Sequence, residues 1–345
     1  MSTQSQNILL LDASRKRLNA GPKARLDTAH FLSELGFKVV RVPHSRSRHW
    51  RKLISQYLKL TSRFNFPAGS TIWCQFPLES TTKIVLQKAL RQGLKTVVFI
   101  HDIEGLKLAS PSWASVQAEL DEVRCYSKVL SLNREISAIL HNHGIEVAAE
   151  LECWDYHCEG LADDTQDSNN SFRVVYAGNL SSYKAAFLYK LGAISSVGFD
   201  LFGQGLDPGY TLPSNLSFRG AFNPNIPPAW AGNYFGLVWD GESIDTCAGD
   251  YGAYLAFNTP HKAALYFSRN VPIIVWRGAC IAPLIEEHNA GLLVSSLGEL
   301  ERVLSVLSPA EYQSLKQGAA VLGAKVRSGY FIQTAALKIN RADCR

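Results

Sequence analysis

Long hydrophobic runs and paired cysteines are both missing from this sequence of 345 residues. The first apolar run, residues 8–11, is far shorter than the core of a secretion signal, and no apolar stretch approaches the roughly 20 residues of a membrane span. The seven cysteines are scattered, odd in number and without a CxxC pair, which disfavours a disulfide framework. We therefore expect a cytoplasmic protein with reduced thiols, either free or held at the inner face of the membrane.

Common nucleotide-binding motifs are also missing. Neither GxGxxG nor GxxxxGK[ST] occurs, so NAD binding and a P-loop NTPase activity lose their main sequence support. No nucleic-acid-binding motif is recognised either, and we predict no nucleic-acid partner.

Apolar and basic residues are what the sequence does contain. It is 46% hydrophobic, with 16 Phe, 13 Tyr and 7 Trp, which is enough for two cores, and its length also favours two domains. The net charge of +5 is uneven, since residues 1–63 hold 13 Lys/Arg against 3 Asp/Glu. A basic segment suits a phosphate-bearing ligand or an anionic membrane surface, and a solvated surface is the plain alternative.

Short apolar runs alternate with amphipathic stretches in both halves of the chain, and they predict, among others, strands over 7–12 and 145–151 and a helix over 183–193. This alternation predicts parallel sheets with helices on both faces. The polar, acidic stretch 159–171 interrupts it and predicts a linker. We therefore predict an α/β protein with two facing Rossmann-like domains and a cleft between them. The N-terminal domain covers 1–158, the C-terminal domain covers 172–325, and a helical tail covers 326–345.

In the first half, polar residues cluster where predicted strands end. Open α/β sheets bind ligands at the carboxyl ends of their strands, so these loops are candidate sites. Candidates for a cleft or acceptor site are Asn19, Gly21, Lys23, Gln75 and Glu104. His101 and Asp102 follow the fourth strand and form a candidate acid/base pair. An ordinary turn over 12–25 and a capping role for Asp102 are the structural alternatives.

The second half carries a denser pattern around a predicted helix that starts near Pro260. Asn258 or Thr259 can cap this helix, and Pro260 suits its first turn. His261 and Lys262 follow in that turn, where cations are unfavourable unless an anion binds beside them, which points to a pyrophosphate. A capped helix with a solvated lysine is the alternative. Further candidates for the same ligand are Gly178, Asn179, Asp240, Tyr251 and Tyr254.

The stretch 49–60 combines an apolar stripe with cations. One side of a helix over this stretch carries Trp50, Leu53, Ile54, Tyr57 and Leu58. Arg51, Lys52 and Lys59 lie off the stripe. The stripe either packs on the sheet or docks on a membrane surface.

Six segments follow one another in an order typical of one enzyme family. They are NAGPKAR (19–25), QFP (75–77), HDIEG (101–105), YAGNL (176–180), FGLVWDGES (235–243) and DYGAYLAFNTPHKAALYFSRNVPIIVW (250–276). Together they resemble bacterial two-domain GT-B glycosyltransferases grouped with the β-1,6-galactofuranosyltransferases and the glucosyltransferase of streptococcal adhesin glycosylation.

The resemblance implies transfer of a hexosyl group from a UDP-sugar to a glycan, lipid-linked or protein-linked acceptor, as in polysaccharide biosynthesis. The sugar is galactofuranose, galactose or glucose. Donor-site residues implied in the C-terminal domain are Asp240, Asn258, His261 and Lys262. The resemblance also implies inversion, for which Asp102 is the candidate base and His101 its competitor.

No cofactor beyond the co-substrate is expected, and no metal site. The strict Asp-x-Asp pattern that holds a metal–diphosphate in many glycosyltransferases is absent, and the strings 102–104 and 240–242 match it imperfectly. A non-catalytic sugar- or nucleotide-binding protein with the same fold is the main alternative. A periplasmic-type binding protein is disfavoured by the missing secretion signal. Homo-oligomer formation is left open.

Overall fold

The structure, a computed structural model, describes residues 6–12, 20–45, 47–107, 112–160 and 171–341. Its internal contacts divide it into two compact units. The first contains the described residues within 1–103, 113–151 and 332–345, and the second those within 104–112 and 152–331. In these ranges no helix has the length and apolar character needed to cross a membrane.

The first unit is built on a six-stranded sheet whose neighbouring strands all run parallel. Its strands are β1 (Asn7–Asp12), β2 (Lys38–Val42), β3 (Thr71–Phe76), β4 (Lys95–Ile100), β5 (Lys128–Ser131) and β6 (Ala149–Glu150). The order β2-β1-β3-β4-β5-β6 changes direction between β1 and β3. The central strands are buried along almost their whole length, as expected of parallel strands covered on both faces.

Helices provide the crossovers that parallel strands require. In the first unit they are α1 (Ala20–Glu34), α2 (Arg48–Leu60), α3 (Ser80–Arg91), α4 (Trp113–Val123) and α5 (Arg134–Asn142). A 3₁₀ turn at Glu104–Leu106 follows β4 and groups with the second unit.

The second unit has its own six-stranded parallel sheet. Its strands are β7 (Arg173–Asn179), β8 (Gly198–Gln204), β9 (Leu216–Gly220), β10 (Tyr234–Val238), β11 (Ile273–Trp276) and β12 (Gly291–Val294). The order β9-β8-β7-β10-β11-β12 is that of a dinucleotide-binding Rossmann sheet, with its change of direction between β7 and β10.

The helices of the second unit are shorter, except near the end of the chain. They are α6 (Ser182–Ala185), α7 (Gly249–Ala253), α8 (His261–Ser268), α9 (Ala282–Glu287), α10 (Leu300–Val306) and α11 (Pro309–Ser328). The helix α12 (Tyr330–Arg341) follows, and its residues from Ile332 onward group with the first unit.

The predicted α/β class with two parallel sheets is confirmed, but some elements differ. The strand predicted over 145–151 is only Ala149–Glu150, and the helix predicted over 183–193 is α6 followed by a 3₁₀ segment. The predicted helical tail 326–345 contains the end of α11 and all of α12, because Gly329 ends α11 with φ 74°. Glycine adopts this left-handed conformation without steric cost, which is how many helices end.

The predicted domain limits also differ from the contact grouping. Residues 152–158 group with the second unit, where the indole N–H of Trp154 donates to the Thr259 carbonyl at 2.7 Å. The predicted linker 159–171 lies mostly on residues outside the described ranges. The predicted tail 326–345 is divided between the two units at residue 332.

Candidate functional site

Three predicted donor-site residues lie at one point on the edge of the second sheet. Gly178 and Asn179 end β7, and Asp240 lies two residues beyond the end of β10. The two strands are neighbours, and the strand order changes direction between them. Ligands of open α/β sheets bind beyond the carboxyl ends of the strands at such a point.

Lys262 reaches this point from the first turn of α8. Its ammonium donates to the Asp240 carboxylate at 2.8 Å, to the Tyr176 hydroxyl at 3.1 Å and to the Trp239 carbonyl at 3.3 Å. It also lies 4.3 Å from the centre of the Tyr176 ring. Gly178 lies directly beside this side chain, and a Cβ added there would be in ordinary van der Waals contact with Lys262 Cε at 3.7 Å.

Burial shifts the pKa of Lys262 and of the Tyr176 hydroxyl beside it. It raises the pKa of the Tyr176 hydroxyl well above its ordinary value, with Asp240 adding to the effect, so the hydroxyl stays protonated and donates to Asp240 at 2.9 Å. Burial also lowers the pKa of the Lys262 ammonium, and the charge of Asp240 opposes that shift. The cation at the predicted helix start pointed to a phosphate, and in the structure Asp240 is an anionic partner for it within the protein.

The N-terminus of α8 differs from its predicted form. The helix begins at His261 and has Pro260 as its N-cap, without a side-chain cap, so capping by Asn258 or Thr259 was a wrong prediction. The backbone N–H of Asn258 instead donates to the Tyr254 carbonyl at 2.9 Å. Without a capping side chain, the first turn keeps its positive dipole end available to an anion.

His261 lies among aromatic side chains. Its ring centroid is 5.7 Å from that of Trp154, edge to face, and 4.9 Å from that of Tyr156. The predicted pyrophosphate contact therefore fits Lys262 better than His261, whose ring is engaged in packing.

Tyr266 fixes α8 against the sheet. Its hydroxyl accepts from the Ala177 N–H at 2.8 Å and donates to the Leu237 carbonyl at 3.3 Å, so it bridges β7 and β10. Its ring fills the space beside Gly236, where an added Cβ would lie 2.2 Å from a ring atom. The position of the α8 N-terminus thus depends on a glycine in β10.

A second lysine, Lys184, lies beside the same strand end. It stands in the short helix α6, directly after the Gly178–Asn179 strand end, and its ammonium is 5.4 Å from the centre of the Tyr251 ring. Tyr183 accepts a hydrogen bond from the Asn179 amide at 2.8 Å and its ring lies 6.1 Å from that of Tyr251.

The loop after β10 is tied to α6 through its backbone. The N–H of Gly241 donates to the Lys184 carbonyl at 3.0 Å, and the Gly241 carbonyl accepts from the Phe187 N–H at 3.1 Å. Gly241 has φ 102°, and a Cβ there would lie 2.1 Å from the Ala248 carbonyl oxygen. Only glycine fits this position, which holds Asp240 and Lys184 near each other.

Tyr254 and Glu104 belong to a neighbouring group in the second unit. Tyr254 is buried, and the Lys107 ammonium lies 5.9 Å from the centre of its ring. Lys107 also donates to Glu104 at 2.7 Å. The predicted cleft residue Glu104 is thus an exposed partner of a lysine that covers a predicted donor-site tyrosine.

His101 and Asp102 lie in the loop after β4, because the strand ends at Ile100. His101 is 6% exposed, its ring centroid is 4.4 Å from that of Phe99, and its backbone N–H donates to the Phe76 backbone carbonyl at 3.0 Å. Asp102 is half-buried. The two side chains therefore differ in access, as expected of adjacent residues at a strand end.

The predicted cleft residue Gln75 lies in a polar network near the point where the strand order changes direction between β1 and β3. Arg25 donates to Asp12 at 3.3 Å, to the Gln75 carbonyl at 2.7 Å and to the Pro77 carbonyl at 2.7 Å. The side chain of Gln75 is buried, and its Oε1 has no hydrogen-bond partner among the described residues. Burial raises the pKa of Asp12, while its hydrogen bond from Thr82 and the charge of Arg25 oppose the shift.

The remaining predicted cleft residues lie at the start of α1. Lys23 is 4% exposed and forms an ion pair with Asp27 one helical turn on, a placement that does not suit a cleft contact. Gly21 is in the first turn of α1, and Asn19 lies outside the described residues.

Comparison with known proteins assigns the chain to a family. Residues 10–149 match the N-terminal domain model of Glucosyltransferase 3-like proteins, and residues 174–339 match the C-terminal domain model. The chain belongs to the Glucosyltransferase 3-like family. It is 27% identical over 333 residues to beta-1,6-galactofuranosyltransferase WbbI of Escherichia coli K12, covering 94% of this chain and 95% of WbbI.

Solved structures show the same fold. Sucrose-phosphate synthase of Thermosynechococcus elongatus superposes with a TM-score of 0.64 at 14% identity, over 98% of both chains. HepE of Anabaena, solved with UDP-glucose, superposes with a TM-score of 0.62 at 12% identity, over 97% of this chain and 98% of HepE. This member of the Glucosyltransferase 3-like family is therefore a glycosyltransferase with the GT-B fold.

In this glycosyltransferase, Lys184 is a candidate donor-site residue that was not predicted from the sequence. The signal that could have found it is part of the one that pointed to Lys262, a lysine in the first turn of a predicted helix. Lys184 stands at the start of the helix predicted over 183–193, but it lacks the preceding Asn-Thr-Pro pattern and the neighbouring histidine that pointed to Lys262. Within the described ranges, no group of three or more His, Cys, Asp or Glu side chains could hold a metal ion.

Proposed function

We propose that the enzyme transfers a hexosyl group from a UDP-sugar to a glycan or glycoconjugate acceptor, with inversion and without a metal. The donor sugar is galactofuranose, galactose or glucose. The name of the relative WbbI and the UDP-glucose complex of HepE support this donor class. Inversion is carried over from the resemblance to the galactofuranosyltransferases.

The proposal rests on two lysines and one helix N-terminus that lie where the strand order changes direction, between β7 and β10. Lys262 forms an ion pair with Asp240, and Lys184 adds a second positive charge close to them. When the anomeric C–O bond breaks, the departing UDP gains negative charge. Preorganised cations and helix N–H groups stabilise such a charge most where it develops, in the transition state.

Asp102 is the proposed base. The acceptor hydroxyl oxygen bonds to the anomeric carbon while the bond to the diphosphate breaks, and the hydroxyl proton passes to the Asp102 carboxylate. Asp102 is the more accessible of the two candidates, since His101 is buried against Phe99. A positioned carboxylate in this role contributes about 10²- to 10⁴-fold to the rate.

Calorimetric titration with UDP tests the donor site. A charge-assisted contact is worth roughly 1.5–3 kcal/mol, so Lys262→Ala is expected to weaken UDP binding about 10- to 150-fold. Lys184→Ala is also expected to weaken UDP binding. The second variant matters because removing Lys262 leaves Asp240 buried without its cation, which destabilises a protein in its own right.

Lys190→Ala is the matched control, since Lys190 is an exposed lysine in the segment that follows α6. It is expected to bind UDP like the wild type. If both Lys262→Ala and Lys184→Ala remain folded and bind UDP with wild-type affinity, the donor site lies elsewhere.

A further inference from the structure

The helix α2 leaves most of its large apolar side chains in solvent. Trp50 is 61% exposed, Leu53 43%, Tyr57 49% and Leu60 88%. Leu58 is the one fully buried residue of this helix. Scattered exposed apolar residues are ordinary, but four on one short helix form a patch that needs a reason.

The exposed residues share one side of the helix. At about 100° per residue they fall within an arc of roughly 80°, and Leu58 lies about 80° from one end of that arc. The helix therefore packs through the side that holds Leu58, and the apolar arc points elsewhere. Packing of the stripe on the sheet, one of the two sequence alternatives, thus accounts for Leu58 and not for the four exposed residues.

The charged residues of α2 and of the chain segment that contains it all have one sign. The sequence from 35 to 78 contains eight Lys/Arg and no Asp or Glu. On α2 itself, Arg48, Lys52 and Lys59 are exposed on a separate polar side, about 80–120° from the nearer edge of the apolar arc. Exposed Trp and Tyr next to Lys and Arg is the composition of helices that lie in a membrane interface, where aromatic rings sit at headgroup level.

We propose that α2 docks flat on an anionic lipid bilayer, with Trp50, Leu53, Tyr57 and Leu60 entering the interface and the lysines facing lipid phosphates. The inference goes beyond the transfer reaction and does not depend on the donor site. A second copy of the chain fits this surface less well. A two-fold contact would place the same patch against itself, and with it cations that have no acidic partner on either side.

Vesicle co-sedimentation of the full chain tests the proposal. Binding is expected to mixed phosphatidylcholine–phosphatidylglycerol vesicles at physiological ionic strength, and to be much weaker with pure phosphatidylcholine. Each lysine near an anionic surface contributes about a fivefold factor, so Lys52→Gln/Lys59→Gln is expected to lower the partition coefficient about 25-fold. Leu53→Ser/Tyr57→Ser, which removes apolar insertion, is expected to lower it at least about 10-fold.

Matched controls come from the second unit. Val306 is 71% exposed, and Lys190 and Arg302 are exposed, so Val306→Ser and Lys190→Gln/Arg302→Gln are expected to leave partitioning unchanged. UDP calorimetry on every variant, with affinity equal to the wild type, shows that the fold and the donor site are intact.

Three outcomes overturn the proposal. The first is negligible pelleting of the wild type with both vesicle types. The second is equal loss of binding in the α2 variants and the controls. The third is a wild-type dimer in sedimentation velocity that Leu53→Ser/Tyr57→Ser converts to a monomer without any vesicle binding, which would assign the surface to a second copy.

Discussion

Asp102 and His101 are neighbours in the chain but differ in what a substrate can reach. The ring of His101 is packed on Phe99, and Asp102 is half-buried. Asp102→Asn keeps the shape of the side chain and removes the proton acceptor. We expect kcat to fall at least about 100-fold with UDP affinity unchanged, because the group acts mainly in the transition state.

The measurement is UDP release with each of the three UDP-sugars and a glycan acceptor, followed by calorimetry with UDP. Asp121→Asn is the control, since Asp121 is an exposed aspartate of α4 in the same unit. An active Asp102→Asn enzyme together with an inactive His101→Ala enzyme would exchange the two roles. Activity in both would move the base to another residue.

At the scale of elements, the position of α8 depends on the space that Gly236 leaves for Tyr266. A Cβ at residue 236 would lie 2.2 Å from the ring, so Gly236→Ala must displace the ring or the strand. Overpacking of this kind costs about 1–3 kcal/mol. We expect a lower midpoint of unfolding and weaker UDP binding, because the shift moves the helix that carries Lys262.

Thermal unfolding and UDP calorimetry measure both effects. Gly298→Ala is the control, since the nearest atom to its added Cβ is Ser296 Oγ at 3.4 Å, an ordinary contact. Wild-type stability and UDP affinity in Gly236→Ala would show that Tyr266 does not position α8.

Most helices and strands could be predicted from the sequence, but the surroundings against which each of them packs could not. Strand β1 matches its predicted bounds because its buried side chains form a continuous apolar run. The α2 stripe was also visible, yet periodicity gives the width of an apolar face and not the direction in which the helix packs. The break at Gly329 was missed because helical periodicity continues on both sides of it.

Candidate site residues could be predicted where they follow strands. They were harder to predict where contacts with other side chains determine their environment. Asp240 and Lys262 both come from short, sequence-local patterns. Their ion pair joins residues on different elements, and nothing in either local pattern specifies it. Lys23 shows the same limit, since nothing in its local pattern specifies that it is buried in an ion pair with Asp27.

At the scale of the whole molecule, the two units use one architecture with two strand orders. The first sheet changes direction between β1 and β3, and the second between β7 and β10. Both halves show the same alternation of strands and helices, so the sequence pattern could not distinguish these orders. In each unit a polar cluster lies at the change of direction, around Asp12 and Arg25 in the first and around Asp240 and Lys262 in the second.

The charge at the second cluster bears on whether the complete enzyme needs a metal. A departing UDP requires compensating positive charge, which a divalent ion supplies in many enzymes of this chemistry. Here Lys184, Lys262 and the N-terminus of α8 offer that charge, with Asp240 neutralising part of it. We expect transfer to proceed at the wild-type rate in excess EDTA and to gain nothing from added Mg²⁺ or Mn²⁺. UDP release measured with and without EDTA decides the matter. Activity lost in EDTA and restored by either ion would mean that a metal carries part of the charge that we assign to the two lysines.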